Sequence, residues 1–134
     1  MAISSTRPQA LPPLRRVLIV GGGGREQALA WALSRNEEIT TVWIAPGNGG
    51  PEGLAIDLAE TDSEALVAFC CQKDVDLVVV GPEAPLAAGV ADALRSADIA
   101  VFGPDAAGAQ LEASKAWAKQ LMHEATVPTA GHWS

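Results

Sequence analysis

The stretch LIVGGGGREQALAW, Leu18 to Trp31, decides the fold. Apolar β-formers lead into four consecutive glycines, and an alanine-rich helical pattern leads out of them. That order is a strand, a bare-backbone turn and a helix N-terminus. The same grammar continues down the chain. Strands are predicted over residues 16–20, 41–45, 76–80 and 99–102, with a minor strand over 54–58. Helices are predicted over 25–35 and 63–73, from Pro85 to about 97, and in an alanine-rich tract from 105 to 124 with a break near Ser114.

Local signals support these bounds. In TDSE, Thr61 and Glu64 stand at the spacing of a capping box, in which side chain and backbone satisfy each other's unpaired groups. The helix it starts puts Leu66, Phe69 and Cys70 on one face. Pro85 suits a first helical turn, where no amide hydrogen is missed. Residues 76–80 read DLVVV, an uninterrupted apolar run expected of a strand covered on both faces.

Strands of about five residues alternating with helices specify an α/β, doubly wound, mainly parallel sheet of four to five strands with helices on both faces. The expected strand order is second, first, third, fourth, with ligands bound along the carboxyl edge. The turns at Gly21, Pro46, Gly81 and Gly103 all lie on that edge.

Bulk composition narrows the function. The chain has 134 residues, 49% apolar and 19% charged, with a net charge of −7. An acidic surface of that kind is unsuited to phosphate backbones, which need clustered cations, so neither nucleic acid nor membrane is an expected partner. No apolar run approaches the roughly 20 residues of a membrane span. Cys70 and Cys71 are adjacent, which disfavours a disulfide between them and fits reduced thiols in a reducing, cytoplasmic setting. Residues 1–13 lack both acids and an apolar centre, and read as a disordered extension.

The glycines point to an anion. Bare backbone admits a ligand closely, and the helix that follows adds its partial positive end. Gly22, Gly23, Gly24, Arg25 and Glu26 are therefore the candidate phosphate site. Arg25 lies in a first helical turn, where a cation is disfavoured unless something negative is near, and Glu26 supplies part of that charge. The plainer reading of the glycines is tight packing alone.

The dinucleotide fingerprint G-x-G-x-x-G fails, because Glu26 or Gln27 stands where the third glycine belongs. The segment WIAPGN, Trp43 to Asn48, also lacks the acid expected to bind a ribose. No Gly-Lys-Ser/Thr follows the glycines, so a Walker loop is absent too. A smaller phosphorylated ligand fits better.

Glu83, stiffened between Pro82 and Pro85, is placed to accept hydrogen bonds from sugar hydroxyls or an amine, or is a solvated loop acid. Asn48, between Gly47 and Gly49, either shapes its own turn or reaches the ligand. Lys115 follows Ser114, a candidate N-cap, and reads as a surface lysine or a phosphate contact. His123 and His132 show no ligand-like spacing to other metal-binding residues. No metal site, nucleophile triad or catalytic carboxylate pair can be assembled.

Four motifs in order, GGGGREQALAW, APGNGG, GPEAPL and FGPDAAGAQLEASKAWAKQLM followed by VPTA, resemble the N-terminal region of the phosphoribosylamine–glycine ligase family. These are ATP-grasp ligases of purine synthesis, and the resemblance covers about residues 16–130. It implies a Rossmann-like pre-ATP-grasp domain over 14–104, a helical linker over 105–126 and the truncated start of an ATP-grasp region over 127–134. It implies an enzyme that joins glycine to 5-phosphoribosylamine with ATP and Mg²⁺ or Mn²⁺, through a glycyl phosphate. The phosphoribosyl group would lie at Gly22 to Glu26, with Glu83, Pro82 and Asn48 toward the ribose or amine, and Lys115 on ATP.

Two departures stand out. Gln27 occupies a position where the family commonly has His, and Trp117 one where it commonly has Phe. Most of the ATP, metal and glycine sites of the family lie in regions beyond residue 134, so these residues alone are expected neither to bind the cofactors nor to catalyse ligation. Two other classes compete: a stand-alone sugar-phosphate- or nucleotide-binding module working with a partner chain, and a nicotinamide-dependent oxidoreductase.

Overall fold

The computed structural model describes residues 13–103 and Ala106. All of the predicted linker but Ala106, and the ATP-grasp start, lie outside these residues, Lys115 among them, as does nearly all of the N-terminal extension.

Strand β1 (Arg16–Gly21) runs into the glycine turn, and helix α1 (Gly24–Ser34) leaves it. Strands β2 (Thr41–Pro46) and β3 (Leu54–Ala55) follow, then helix α2 (Ser63–Lys73) and strand β4 (Leu77–Val80). Helices α3 (Glu83–Ala87) and α4 (Val90–Ser96) lead to strand β5 (Val101–Phe102). The five strands form one sheet in the order β3-β2-β1-β4-β5, and every pairing is parallel. The expected order of the four main strands holds, with the minor strand at the edge beyond β2.

The core follows from the two-residue alternation of β1. Leu18 and Val20 face one layer, where Leu66 and Cys70 of α2 meet Val90, Ala91 and Leu94 of α4. Val17 and Ile19 face the other, against Ala30 of α1 and Val42 and Ile44 of β2. All four β1 side chains are fully buried, so β1 is the spine of the domain. Trp43 and Phe69 meet edge-to-face, with centroids 5.4 Å apart. Among the described residues, no helix is long and apolar enough to cross a membrane.

Four expectations need correcting. The cap of α2 is Asp62, whose side chain accepts from the Ala65 N–H at 3.1 Å and takes the role assigned to Thr61 and Glu64. The helix expected from Pro85 to 97 is two helices, because Gly89 adopts a left-handed φ of +88° between them. The minor strand is only two residues long, Leu54–Ala55. The last strand is shorter than residues 99–102, being only Val101–Phe102, whereas β4 is covered on both faces as expected, with Val78 and Val80 in one cluster and half-buried Leu77 and Val79 packed against the other.

Candidate functional site

The carboxyl ends of β1 and β4 open into a cleft of about 670 Å³ lined by Gly22, Gly23, Gly24, Arg25, Glu26, Glu60 and Pro82. Its floor is the start of α1. Gly23 caps that helix with extended backbone, and its carbonyl accepts from the Gln27 N–H at 3.2 Å. The first amides of a helix have no partner within it, so those of Gly24 and Arg25 carry the positive end of the α1 dipole toward the cleft.

Glu26 is buried, with 4% of its surface exposed. Its Oε2 accepts from the Gly23 N–H at 2.8 Å, and its Oε1 lies 3.5 Å from the Arg25 Nε. Three glycines make room for it. A Cβ at Gly21 would lie 2.7 Å from the Glu26 Cγ, one at Gly23 would lie 2.7 Å from Oε2, and one at Gly81 would overlap Oε1. The Gly22 backbone instead packs against the Gly47 carbonyl, which a Cβ would approach to 2.9 Å. Gly24 alone of the four faces open space. Packing therefore accounts for three of the four glycines, and Gly24 is the one that packing leaves unexplained.

Arg25 reaches across the cleft. Its Nη2 donates to the Gly81 carbonyl at 2.9 Å, joining the turn after β1 to the end of β4. The loop after β2 closes a second side. The Asn48 Oδ1 accepts from the Gly50 N–H at 3.0 Å, while its Nδ2 points at the Gly23 carbonyl at 3.5 Å. The side chain thus shapes its own turn and also touches the glycine turn. Gln27 clamps the same loop: its Nε2 donates to the Glu52 carbonyl at 3.1 Å and to the Glu52 Oε2 at 3.0 Å.

The structure brings together Gly22, Gly23, Gly24, Arg25, Glu26 and Pro82, with Asn48 at the margin. Glu83 opens α3 beside Pro82 and is exposed, outside the residues that line the cleft. Lys115 is outside the described residues. Two contributors escaped the sequence: Glu60, from the connection between β3 and α2, and Glu52, through its contacts to Gln27. Gly81, whose turn was expected on this edge, takes part through its hydrogen bond from Arg25. The carboxyl-edge rule, applied to the loop after β3 as well, would have found Glu60. Among the described residues, no group of three or more His, Cys, Asp or Glu is placed to hold a metal ion.

A parallel open sheet with a cleft at the glycine turn after its first strand defines a doubly wound, Rossmann-like α/β domain. The family described as "Phosphoribosylglycinamide synthetase, N domain" matches residues 15–112, and the chain belongs to that family. It is 52% identical over 119 residues to the phosphoribosylamine–glycine ligase of Nostoc sp. (strain PCC 7120), covering 86% of this chain and 28% of that protein. The ligase of Vibrio cholerae is 46% identical over 121 residues, covering 87% and 28%. That of Rhizobium meliloti is 48% identical over 119 residues, also covering 87% and 28%. The chain thus spans little more than a quarter of these relatives. A solved structure titled "Crystal structure of RSP, a Rex-family repressor" aligns with a TM-score of 0.48 at 14% identity, over 83% of this chain and 62% of that one. That likeness is too slight to bear on function.

Proposed function

We propose that this chain is the sugar-phosphate-binding N-terminal part of a phosphoribosylamine–glycine ligase, an ATP-dependent C–N ligase of purine synthesis. The observation that carries the reading is the cleft at the start of α1, where Gly24 faces open space and Arg25 is at hand. A phosphate there meets bare amides, a helix dipole and a guanidinium. Glu60 and Pro82 at the cleft wall, with Asn48 at its margin and Glu83 next to Pro82 in the chain, support recognition of donor groups such as ribose hydroxyls or an amine.

In the full-length enzyme ATP would activate glycine, and Lys115 would reach its phosphates. This part of the chain would hold and orient the phosphoribosylamine whose amine attacks the activated glycine. The 134-residue chain would work in the cytoplasm only as part of that longer enzyme, and would be inactive alone.

Titration of the chain with ribose 5-phosphate, followed by amide NMR, tests the binding role. Saturable shifts at Gly22, Gly24 and Arg25 are expected, and amides of residues 21–26 that stay still at saturating ligand would remove it. ADP release in the presence of glycine and phosphoribosylamine tests the rest; turnover by this chain alone would refute its inactivity.

A further inference from the structure

We infer that Glu26 is a specificity-determining residue that makes this cleft accept a phosphate monoester and reject a diphosphate diester such as the pyrophosphate of a dinucleotide. The inference rests on the phosphate reading above and adds what kind of phosphate the site takes.

The turn reads Gly21-x-Gly23-x-x-Glu26, a dinucleotide fingerprint with its third glycine replaced by glutamate. In that fingerprint the second glycine lets a pyrophosphate come close to the backbone, and the third lets helix and strand pack tightly. Here the N–H at the second position, Gly23, is already taken by the Glu26 Oε2 at 2.8 Å. A phosphate oxygen cannot occupy the same approach, since both need to lie about 3 Å from one nitrogen along one N–H direction.

The carboxylate is also not free to leave. Gly21, Gly23 and Gly81 wrap it from three sides, and Glu26 is 4% exposed. Its Oε1 is buried without a hydrogen-bond partner among the described residues, with the Arg25 Nε 3.5 Å away. A diphosphate spanning the turn would therefore set its second phosphate against a fixed carboxylate and lose the Gly23 donor. A single phosphate at the Gly24–Arg25 end avoids both penalties. Selectivity arises from an obstacle to the wrong ligand as well as from contacts to the right one.

The test compares ribose 5-phosphate with ADP-ribose on the 134-residue chain by amide NMR titration, in the wild type, Glu26→Gln and Glu26→Gly. The wild type is expected to bind ribose 5-phosphate at least about tenfold more tightly than ADP-ribose. Glu26→Gly, folded by far-UV circular dichroism, is expected to gain about tenfold in ADP-ribose affinity, with Glu26→Gln between the two. Equal binding of both ligands by the wild type would overturn the inference, as would an unchanged preference in the variants. If Glu26→Gly does not fold, Glu26→Gln decides, and an unchanged preference there overturns it. A wild type silent to ribose 5-phosphate defeats the phosphate-site reading itself; a gain of ADP-ribose binding in the variants would still establish Glu26 as the obstacle, and no gain would remove that too.

Discussion

Arg25 and Gly81 are joined across the cleft by a 2.9 Å hydrogen bond from the Arg25 Nη2 to the Gly81 carbonyl, fastening the turn after β1 to the end of β4. The arginine side chain remains 65% exposed, so the bond is made in a wet, screened setting and adds little stability. On the proposed function, its guanidinium exchanges that carbonyl for the ligand phosphate. Arg25→Ala should weaken ribose 5-phosphate binding by roughly 10-fold or more while leaving the thermal midpoint nearly unchanged. Arg25→Lys should recover only part of the loss, because it keeps the charge but not the fork. Isothermal calorimetry checks both; wild-type affinity in Arg25→Ala would exclude the residue from the site.

Gly24 separates packing from function. It stands in the first turn of α1 with no atom within 4 Å of a would-be Cβ. Alanine there should stabilise the chain by up to about 1 kcal/mol, since glycine is the costlier helical residue. The same methyl group would cover bare backbone at the floor of the cleft. Gly24→Ala is therefore expected to raise the midpoint of urea unfolding and lower ribose 5-phosphate affinity together.

Gly81 has the opposite character. A methyl group there would overlap the Glu26 Oε1, which three glycines enclose. Gly81→Ala should destabilise the chain by roughly 1–3 kcal/mol through overpacking. Much of that cost should vanish in a Glu26→Ala background, where the obstructing oxygen is gone. A double-mutant cycle in urea measures the coupling, and strict additivity would show that the two residues do not compete for one space.

Acid should expose the role of Asp76. Its Oδ2 accepts from the N–H groups of Arg16 at 2.8 Å and Arg15 at 2.9 Å, pinning the start of β1 to the start of β4. The Arg16 amide foremost holds its carboxyl below the ordinary value of 3.8. A lowered folded-state value means the stabilisation is complete above that ordinary value and disappears as pH falls through the depressed one. Asp76→Asn should be less stable than the wild type at pH 7, and the gap should begin to narrow near the ordinary value of 3.8 and vanish once pH falls below the depressed one. A gap that persisted into strong acid would sink this account.

The two adjacent cysteines should react very differently. Burial, and then the neighbouring Cys71, pushes the Cys70 thiol up to about 12, whereas Cys71 is exposed on α2. At pH 8 only on the order of one Cys70 in ten thousand would be thiolate, the reactive form. Ellman's reagent should modify one thiol in the native chain, and Cys71→Ser should abolish that reaction until the chain is unfolded.

Much of the fold was legible because its signals are local. The apolar run before Gly21, the alanine pattern after Arg25 and the proline- and glycine-rich turns each report a backbone preference that neighbours do not overturn. Where two local signals competed, geometry chose. Asp62 outdid Thr61 as the cap because its side chain reaches the Ala65 amide, and Gly89 ended α3 in a run that helical periodicity alone would have continued. Of the candidate site, Gly22 to Glu26 and Pro82 were readable as one crevice from the carboxyl-edge rule. Glu60 and Glu52 were not, since each meets residues at least 25 positions away in sequence.

The amino-acid sequence by itself determined that this chain makes a parallel α/β sheet with a glycine turn after its first strand, because strand, bare turn and helix are written in consecutive residues. It also carried the family, through four motifs in fixed order. Only the tertiary structure decided what the glycines are for. Gly21, Gly23 and Gly81 converge on the Glu26 carboxylate, and that convergence exists only once β1 and β4 lie side by side. Excluded volume between residues distant in sequence has no local signature, so which glycine houses a side chain and which faces open space is settled by packing alone.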